Sequence, residues 1–305
     1  MSKSLLVLGG TGFIGKHVTI RALKEGYKTF VLCRNYPIND KKVEGIEYLE
    51  IDLTKPTDIE KIRNYCFNFV INLSGDINHS DMSNGGNDVI KVHLNGLIEL
   101  ISNLSKDGLE SFLQIGSSDE YGNINSPQNE AMREEPISPY SLGKLACTNL
   151  LRMLYVSEKL PVVIVRLFLV YGEGQGFNRF LPQIIKGCLK NEEFPTSEGN
   201  QIRDFCYVSD IVDGIIATME SEQVNGHILN PASGEPIKIK NVIGKVLDIV
   251  GSGNPRFGEI KYRSEENLSL YADISKAQKL ISWKPKIDFD IGLKKTIDYY
   301  SKIIK

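Results

Sequence analysis

A glycine-rich turn near the start of the chain constrains its fold more than any other feature. The run at 9–15, GGTGFIG, follows an apolar stretch at 5–8 and precedes a helical pattern at 14–25. This G-x-x-G-x-x-G spacing places small residues where the backbone turns tightly between a strand and a helix. The N-terminus of that helix has free N–H groups and a partial positive charge, which suit a pyrophosphate. The turn predicts a dinucleotide-binding unit, although a tight turn without a ligand could use the same glycines.

The first half of the chain alternates apolar runs with helical patterns. The strand candidates are continuously apolar, which is typical of strands buried on both faces of a parallel sheet. Their order with the helices predicts an α/β fold with a doubly wound parallel (Rossmann) sheet. The strands are expected at 5–8, 29–33, 47–50, 69–73, 112–115 and 162–168, and the helices at about 14–25, 57–65, 86–106 and 139–158.

The pattern changes after about residue 172, where glycines and polar residues become frequent. We predict a dinucleotide-binding Rossmann domain at 1–172 and a smaller α/β substrate region at 173–305. The two are expected to be partly interleaved, because strands of the second half can return to the first sheet. In the second half, helices are expected near 178–190, 209–220, 238–250 and 289–303, and short strands near 204–207 and 227–230.

Composition excludes several classes of partner. The net charge of −2 gives neither a footprint for nucleic acid nor a polybasic patch for a membrane surface. The longest apolar stretch, at 162–170, is interrupted by Arg166 and is too short to span a bilayer. The five cysteines are scattered and form no C-x-x-C pair, which argues against disulfides and a metal site. We therefore expect a cytoplasmic protein without nucleic-acid or membrane partners.

Residues after the second and third strands bear on the choice of cofactor. An acidic residue at the end of the second strand would bind the ribose 2′-hydroxyl and repel a 2′-phosphate. This chain has Cys33 there, followed by Arg34 and Asn35. We predict NAD or NADP, and the arginine favours NADP, although it could instead stack on the adenine of NAD. Asp52 and Leu53 are placed to contact the adenine, although Asp52 would also suit a turn.

A tyrosine and a lysine share one face of the predicted helix at 139–158. Tyr140 and Lys144 are four residues apart, and Ser138-Pro139 before them is a typical helix start. A lysine ammonium beside a phenol stabilises the phenolate, so Tyr140 can exchange a proton with a carbinol. A tyrosine and a lysine at this spacing also occur as an ordinary surface pair.

A serine-rich turn at 116–122, GSSDEYG, follows the predicted strand at 112–115. The hydroxyl of Ser117 or Ser118 could bind the same substrate oxygen as Tyr140. Turn formation alone would also explain a single serine here. The three elements together predict hydride chemistry on an alcohol or a carbonyl.

Taken in order, these motifs resemble the extended short-chain dehydrogenase/reductase family, in its NAD-dependent epimerase/dehydratase branch. The resemblance runs over nearly the whole chain and is more specific for the family than for a substrate. Further segments that carry it are VINLSG at 70–75, Asn95 in a helix, RLFLVYGEGQG at 166–176, RDFCYVSDIVDGI at 203–215 and YADISKAQKLISWKP at 271–285.

The resemblance implies roles by position. Ser117, Tyr140 and Lys144 fall on the catalytic set, and Lys144 also holds the nicotinamide ribose. Arg203 and Arg263 fall in regions that bind the diphosphate of a sugar nucleotide. Further substrate contacts are expected from Ser118, Asp119, Asn178 and Arg179. Further cofactor contacts are expected from Gly9, Thr11, Gly12, Phe13, Ile14 and Gly15, and from Leu73, Ser74 and Gly75.

Departures from the family pattern rank the possible reactions. Many relatives have asparagine where this chain has Leu169, and His-x-Ala where it has 73–75. Glucose-type dehydratases carry Thr-Asp-Glu where this chain has Ser117-Ser118-Asp119, which looks more like 4-keto reductases and partly like mannose-type dehydratases. We rank 4,6-dehydration, with Asp119 or Glu120 as base, below the other reactions at C4.

The resemblance thus predicts an NAD(P)-dependent enzyme acting at C4 of a nucleotide-diphosphate sugar, in the synthesis of surface polysaccharide precursors. It would be a 4-dehydrogenase, a 4-keto reductase or a C4 epimerase. Reduction of a non-nucleotide carbonyl and a non-catalytic, cofactor-sensing protein are rival hypotheses. The helices at 86–106 and 139–158 have apolar residues beyond one stripe. The family pattern then implies a homodimer through a four-helix interface.

Overall fold

The computed structural model describes residues 2–37, 42–53, 55–75, 77–78, 80–262 and 266–304. Arg263, one of the predicted substrate residues, lies outside them. The elements of the first half are β1 (Ser4–Leu8), α1 (Phe13–Lys24), β2 (Lys28–Cys33), β3 (Glu47–Glu50), α2 (Pro56–Ile59), β4 (Phe69–Asn72), α3 (Gly86–Asn103), β5 (Ser111–Ser117), α4 (Pro139–Glu158), β6 (Val162–Leu167) and β7 (Leu169–Tyr171).

The second half contains shorter strands between helices. Its elements are α5 (Phe180–Leu189), β8 (Glu193–Pro195), β9 (Ile202–Tyr207), α6 (Val208–Glu220), β10 (Ile228–Leu229), β11 (Pro236–Lys238), α7 (Ile239–Val250), β12 (Asn254–Arg256), β13 (Ser269–Leu270), α8 (Ser275–Ile281) and α9 (Phe289–Ile303).

A seven-stranded parallel sheet organises the molecule, in the order β10-β6-β5-β4-β1-β2-β3. One apolar cluster on this sheet includes residues of α1 and α6, and a second includes residues of α3 and α4. Each layer buries side chains from alternate positions of the same strands, as Val7 and Leu8 of β1 show. The result is the doubly wound α/β fold that the continuous apolar runs predict.

The second half contributes to both parts of the structure. Strand β10 pairs with β6 at the edge of the large sheet, and α6 packs beside α1. A smaller sheet joins β11, β9, β13 and β7, and a separate apolar cluster involves α5, α7 and α9. The division at residue 172 stays a prediction.

The predicted elements agree with this fold, with local differences. The strand expected at 112–115 is longer, because β5 continues to Ser117 and carries that serine to the end of the sheet. The helix expected at 57–65 is the short α2 followed by a 3-10 turn over Glu60–Asn64. The strand expected near 227–230 joins the large sheet as β10. Among the described residues, no helix has both the length and the apolar content needed to cross a bilayer.

Candidate active site

The glycine turn has a backbone geometry that only glycine supports. Gly9 has a φ of +72°, and a Cβ there would lie 2.9 Å from the carbonyl oxygen of Leu73. A Cβ at Gly15 would collide with the carbonyl oxygen of Gly9. The turn is closed by the N–H of Gly12, which donates to the Gly9 carbonyl at 3.0 Å. The requirement for glycine at both positions fits a turn that allows a pyrophosphate close to the backbone.

Helix α1 begins directly behind this turn. Gly12 is its N-cap, no side chain caps it, and its first turn has no acidic residue. Its first N–H groups therefore remain suitable for an anion. Thr11 is exposed, and Phe13 and Ile14 are half-buried. The predicted residues of the turn thus lie at the carboxyl-terminal end of β1, where a dinucleotide would bind.

The segment after β4 lies beside the glycine turn. The N–H of Leu73 donates to the carbonyl of Leu8 at 3.0 Å, which continues the pairing of β4 with β1. Both the N–H and the hydroxyl of Ser74 donate to the side chain of Asn72. Gly75 lies against His93, with no room for a side chain between them. The segment at 73–75 therefore lies next to the turn, and its contacts with the cofactor stay a prediction.

A polar cavity of about 430 Å³ opens where β2 and β3 end. It brings together three predicted cofactor residues, Arg34, Asn35 and Asp52, whereas Leu53 packs against the apolar layer that includes α3 and α4. The sequence analysis missed its other lining residues, which are Glu50, Lys55, Asp58 and Lys61. Lys61 is paired with Asp58 at 2.7 Å, and Glu50 adds a negative charge beside Arg34. The cavity suits the polar adenosine end of a dinucleotide.

The predicted catalytic serine and tyrosine meet at the end of β5. Ser117 is the last residue of β5, and Tyr140 lies in the first turn of α4. The Ser138 hydroxyl caps this helix by accepting the N–H of Ser141 at 3.1 Å. Both predicted catalytic side chains are almost buried, and the Ser117 side chain lowers the pKa of the Tyr140 phenol, which burial raises. The hydroxyls of Ser117 and Tyr140 are thus both placed at the carboxyl-terminal end of β5.

Burial shapes the ionisation of the catalytic set. The Lys144 ammonium donates to the Ile115 carbonyl at 3.0 Å, and burial lowers its pKa. Burial, followed by the charge of Asp119, raises the pKa of Tyr140 above its usual value. The phenol is therefore protonated at neutral pH in this structure. A positive nicotinamide ring nearby would oppose that shift and favour the phenolate.

A chain of buried amides, which the sequence analysis missed, supports Lys144 from behind. The carbonyl of Ile115 that holds Lys144 also accepts the side-chain N–H of Gln114 at 3.1 Å. The Gln114 amide oxygen accepts from Asn72 at 2.9 Å, and Asn72 holds Ser74. The signal in the sequence is the presence of Asn72 and Gln114 inside strands that are otherwise continuously apolar.

The two acidic residues of the serine turn have different surroundings. Glu120 has no exposed surface and bonds to Ser117, Thr148 and Arg166, so it cannot act as the base of a dehydration. Asp119 is half-buried, and its charge acts on Tyr140. Asp119 is therefore the acidic residue of this turn that is not completely buried, whereas Ser118 is buried.

The predicted substrate residues lie on the second half of the chain. Arg179 immediately precedes α5, and its positive charge slightly offsets the rise in the pKa of Tyr140 that burial causes. Asn178 beside it is exposed. Arg203, in β9, donates to Glu266 at 2.9 Å and to the carbonyl of Ile202. Arg179 thus acts electrostatically on Tyr140, whereas Arg203 holds a carboxylate in the smaller sheet region.

Comparison with known proteins agrees with this arrangement. A family model described as the NAD dependent epimerase/dehydratase family matches residues 5–232. The chain belongs to this family. It is accordingly an enzyme of the extended short-chain dehydrogenase type, in a group that modifies nucleotide sugars, and its cofactor is NAD or NADP.

Individual relatives extend over almost the whole chain. A UDP-glucuronate 4-epimerase from Thermodesulfobacterium geofontis is 26% identical, covering 98% of this chain and 97% of the relative. A UDP-glucuronic acid decarboxylase 1 from Xenopus tropicalis is 27% identical, and the match covers 98% of this chain and 72% of the relative. A crystal structure shows a UDP-glucuronic acid 4-epimerase from Bacillus cereus in complex with UDP-glucuronic acid and NAD. That protein is 25% identical to this chain, and the two structures match with a TM-score of 0.87 over 98% of this chain and 99% of the other.

Proposed function

We propose that this enzyme oxidises and reduces C4 of a nucleotide-diphosphate sugar, and that it acts as a C4 epimerase. The observation that carries the proposal is that Ser117, the last residue of β5, acts on the buried Tyr140 phenol, with Lys144 one turn further along the same helix. In the large sheet, β4 separates β5 from β1, the strand that leads into the glycine turn. Relatives named as 4-epimerases of UDP-sugars support the choice of position and reaction.

Each catalytic residue has one task in this proposal. When bound, the nicotinamide ring supplies the hydride acceptor and donor. Tyr140 takes the proton of the 4-hydroxyl, while Ser117 hydrogen-bonds to the same oxygen and fixes its position. Lys144, held by the Ile115 carbonyl, places a positive charge on the tyrosine's helix and favours the phenolate. Epimerisation further requires the keto sugar to turn over before Tyr140 returns the proton.

A negatively charged sugar is the substrate class that we favour. Arg179 acts electrostatically on Tyr140, so it lies near the position of the reacting sugar ring. A carboxylate on that ring would be a natural partner for a guanidinium. The two curated relatives described above are named for UDP-glucuronate chemistry. A neutral sugar, with Arg179 binding the diphosphate instead, is the competing arrangement.

A dehydration at C4 and C6 is a second candidate, because Asp119 is half-buried beside Tyr140. It requires an additional base to remove a proton next to the keto group. Glu120 is occupied by three hydrogen bonds, so this role falls to Asp119 alone. Its side chain is one methylene shorter than the glutamate that mannose-type dehydratases carry, and we rank dehydration second.

The experiment that tests the proposal is product analysis by mass spectrometry and chromatography. Purified protein is incubated with UDP-glucose, UDP-glucuronate, UDP-N-acetylglucosamine, GDP-mannose, dTDP-glucose and CDP-glucose, each with NAD and with NADP. We expect an unchanged mass and a new chromatographic peak for UDP-glucuronate. Loss of two hydrogens would indicate a dehydrogenase, loss of water a dehydratase, and loss of carbon dioxide a decarboxylase. Each of these would contradict the epimerase.

We also propose that the protein is a homodimer through α3 and α4. Their outer faces expose apolar side chains, among them Ile98 at 41%, Met153 at 50% and Val156 at 69%. Covering such side chains in a four-helix interface would remove them from water. Sedimentation at micromolar concentration should give a dimer, and Val156→Glu should shift it towards monomer. A monomeric wild-type protein would contradict the interface.

A further inference from the structure

A buried carboxylate lies directly behind the catalytic serine. Glu120 is completely buried, and its Oε1 accepts the backbone N–H of Ser117 at 2.9 Å. The hydroxyl of Ser117 accepts the N–H of Asp119 at 3.1 Å. Gly116 leaves the space that the carboxylate occupies, because a Cβ at this position would collide with Glu120. These reciprocal bonds fix the turn that presents the serine hydroxyl.

The second oxygen of the same carboxylate reaches the helix of the catalytic tyrosine. Glu120 Oε2 accepts the hydroxyl of Thr148 at 2.8 Å and the Nε of Arg166 at 2.9 Å. Tyr140, Lys144 and Thr148 are spaced by four residues along α4, so they lie on one face of it. A single carboxylate thus joins the end of β5 to α4 and to β6.

Stability alone does not explain why Glu120 and Arg166 are buried as a charged pair. Arg166 is completely buried, also bonds to Glu134 at 2.6 Å, and lies 4.5 Å from the centre of the Tyr121 ring. Its Nη1 has no hydrogen-bond partner in the described part of the chain. Buried ion pairs can often be replaced by apolar side chains of similar volume without loss of stability. The main effect of this pair is therefore the geometry that it imposes on the serine turn and on α4.

We propose that Glu120 is a positioning residue, which holds the Ser117 hydroxyl against the Tyr140 phenol through the serine turn and α4. This inference rests on the proposed function, because it concerns the same two hydroxyls. Glu120 does not touch the substrate, since it has no exposed surface. Its negative charge also raises the pKa of both Tyr140 and Lys144. Glu120 therefore affects both the geometry and the protonation of the catalytic set.

Loss of Glu120 should change turnover and its pH dependence while leaving binding intact. We expect kcat to fall about 10–100-fold, because small displacements of reacting groups have effects of this size. The KM values for the nucleotide sugar and the cofactor should stay within about twofold, since neither contacts Glu120. Removing the negative charge lowers the pKa of Tyr140. In the oxidative direction, the limb on which kcat rises with pH should therefore move to lower pH.

The test compares three variants with the wild-type enzyme. Glu120→Gln keeps the shape of the side chain but leaves Arg166 without its buried counter-charge, so it can lose stability. The double variant Glu120→Met with Arg166→Met removes both charges and should keep a Tm near that of the wild type. Glu134→Gln removes the other carboxylate on Arg166 and does not touch Ser117. Measurements are kcat, KM, the pH profile, Tm and a crystal structure of the double variant.

The proposal predicts a low kcat with an unchanged KM in the double variant, a pH profile displaced to lower pH in Glu120→Gln, and wild-type kinetics in Glu134→Gln. It is overturned if the double variant turns over within twofold of the wild type with the same pH profile, or if Glu134→Gln shows an equal loss. Absence of wild-type turnover on every sugar would refute the proposed function instead. The crystal structure would still decide: a displaced Ser117 hydroxyl relative to the Tyr140 phenol supports positioning, and an unchanged arrangement of the two contradicts it.

Discussion

The catalytic side and the predicted substrate side of this site are built differently. Ser117, Tyr140 and Lys144 are almost completely buried, and buried hydrogen bonds from β5 and α4 hold them. Arg179 and Arg203 are half-buried and belong to the loop before α5 and to a small sheet. In the proposed function the large sheet therefore positions the reacting groups, whereas the residues proposed to select the substrate lie outside it. Changes on the two sides should separate turnover from binding.

The largest effect is expected on the catalytic side. Tyr140→Phe removes the proton-transferring hydroxyl and should lower kcat about 1,000-fold, within the usual range for a lost acid–base group. Tm should change little, because the ring remains in place. Tyr155→Phe, on the same helix but away from the site, is the matched control and should retain wild-type kcat. Equal activity of both variants would show that Tyr140 has no chemical role. Initial-rate kinetics and thermal denaturation measure both quantities.

Glycine substitutions compare the cofactor turn with a helix of the smaller region. Gly15→Ala introduces a Cβ that collides with the Gly9 carbonyl, and should weaken cofactor binding by about 3 kcal/mol, or roughly 100-fold. Gly244→Ala in α7 meets nothing within 4 Å and should stabilise the protein by about 0.5–1 kcal/mol. Calorimetric titration and thermal denaturation measure the two effects. Normal cofactor affinity in Gly15→Ala would contradict the proposed role of the turn.

On the substrate side, Arg203→Ala should act on binding. Loss of a charge-assisted contact to a diphosphate should raise the KM for the nucleotide sugar about 10–30-fold, with kcat nearly unchanged. Arg256→Ala removes an exposed arginine of the same region, which pairs only with surface carboxylates in the described structure, and should leave KM unchanged. A fall in kcat without a change in KM would place Arg203 with the catalytic set. It would contradict the separation of turnover from binding between the two sides of the site.

The smallest expected effect concerns stability and its pH dependence. Burial lowers the pKa of Lys144, so the folded state disfavours its charged form at neutral pH. Lys144→Met should therefore abolish turnover but raise stability by about 1 kcal/mol, or roughly 2 °C in Tm. The folded state binds fewer protons than the unfolded state, so the gap should close as pH rises towards the unfolded lysine pKa of about 10.5. A destabilised variant at neutral pH would contradict this reading of Lys144.

The sequence predicts most of the large sheet, because its strands are apolar on both faces and are separated by helices of ordinary length. It also locates Ser117, Tyr140 and Lys144, since each lies in a recognisable local motif. The smaller sheet was harder to predict because β11 and β13 have only three and two residues, respectively. Such short strands have no periodicity of their own, and distant segments determine their pairing.

The buried pairing of Glu120 with Arg166 behind the catalytic set was missed for a related reason. Glu120 and Arg166 are far apart in sequence, and their contact depends on how β5 and β6 lie beside each other. Arg166 within an apolar strand gave a signal that was used only to argue against a membrane span. A charged residue in a strand that is expected to be buried on both faces implies a buried partner. Arg166 therefore implies a buried carboxylate, and the structure shows that this carboxylate is Glu120.

The central claim is that the buried catalytic side carries out hydride chemistry at C4 of a nucleotide sugar. The most direct test uses UDP-glucuronate that carries deuterium at C4, with product analysis by NMR and mass spectrometry. We predict slower turnover than with the unlabelled sugar, and a new C4 epimer that retains the deuterium at C4. Turnover at the unlabelled rate, into a product whose C4 configuration is unchanged, would contradict the claim.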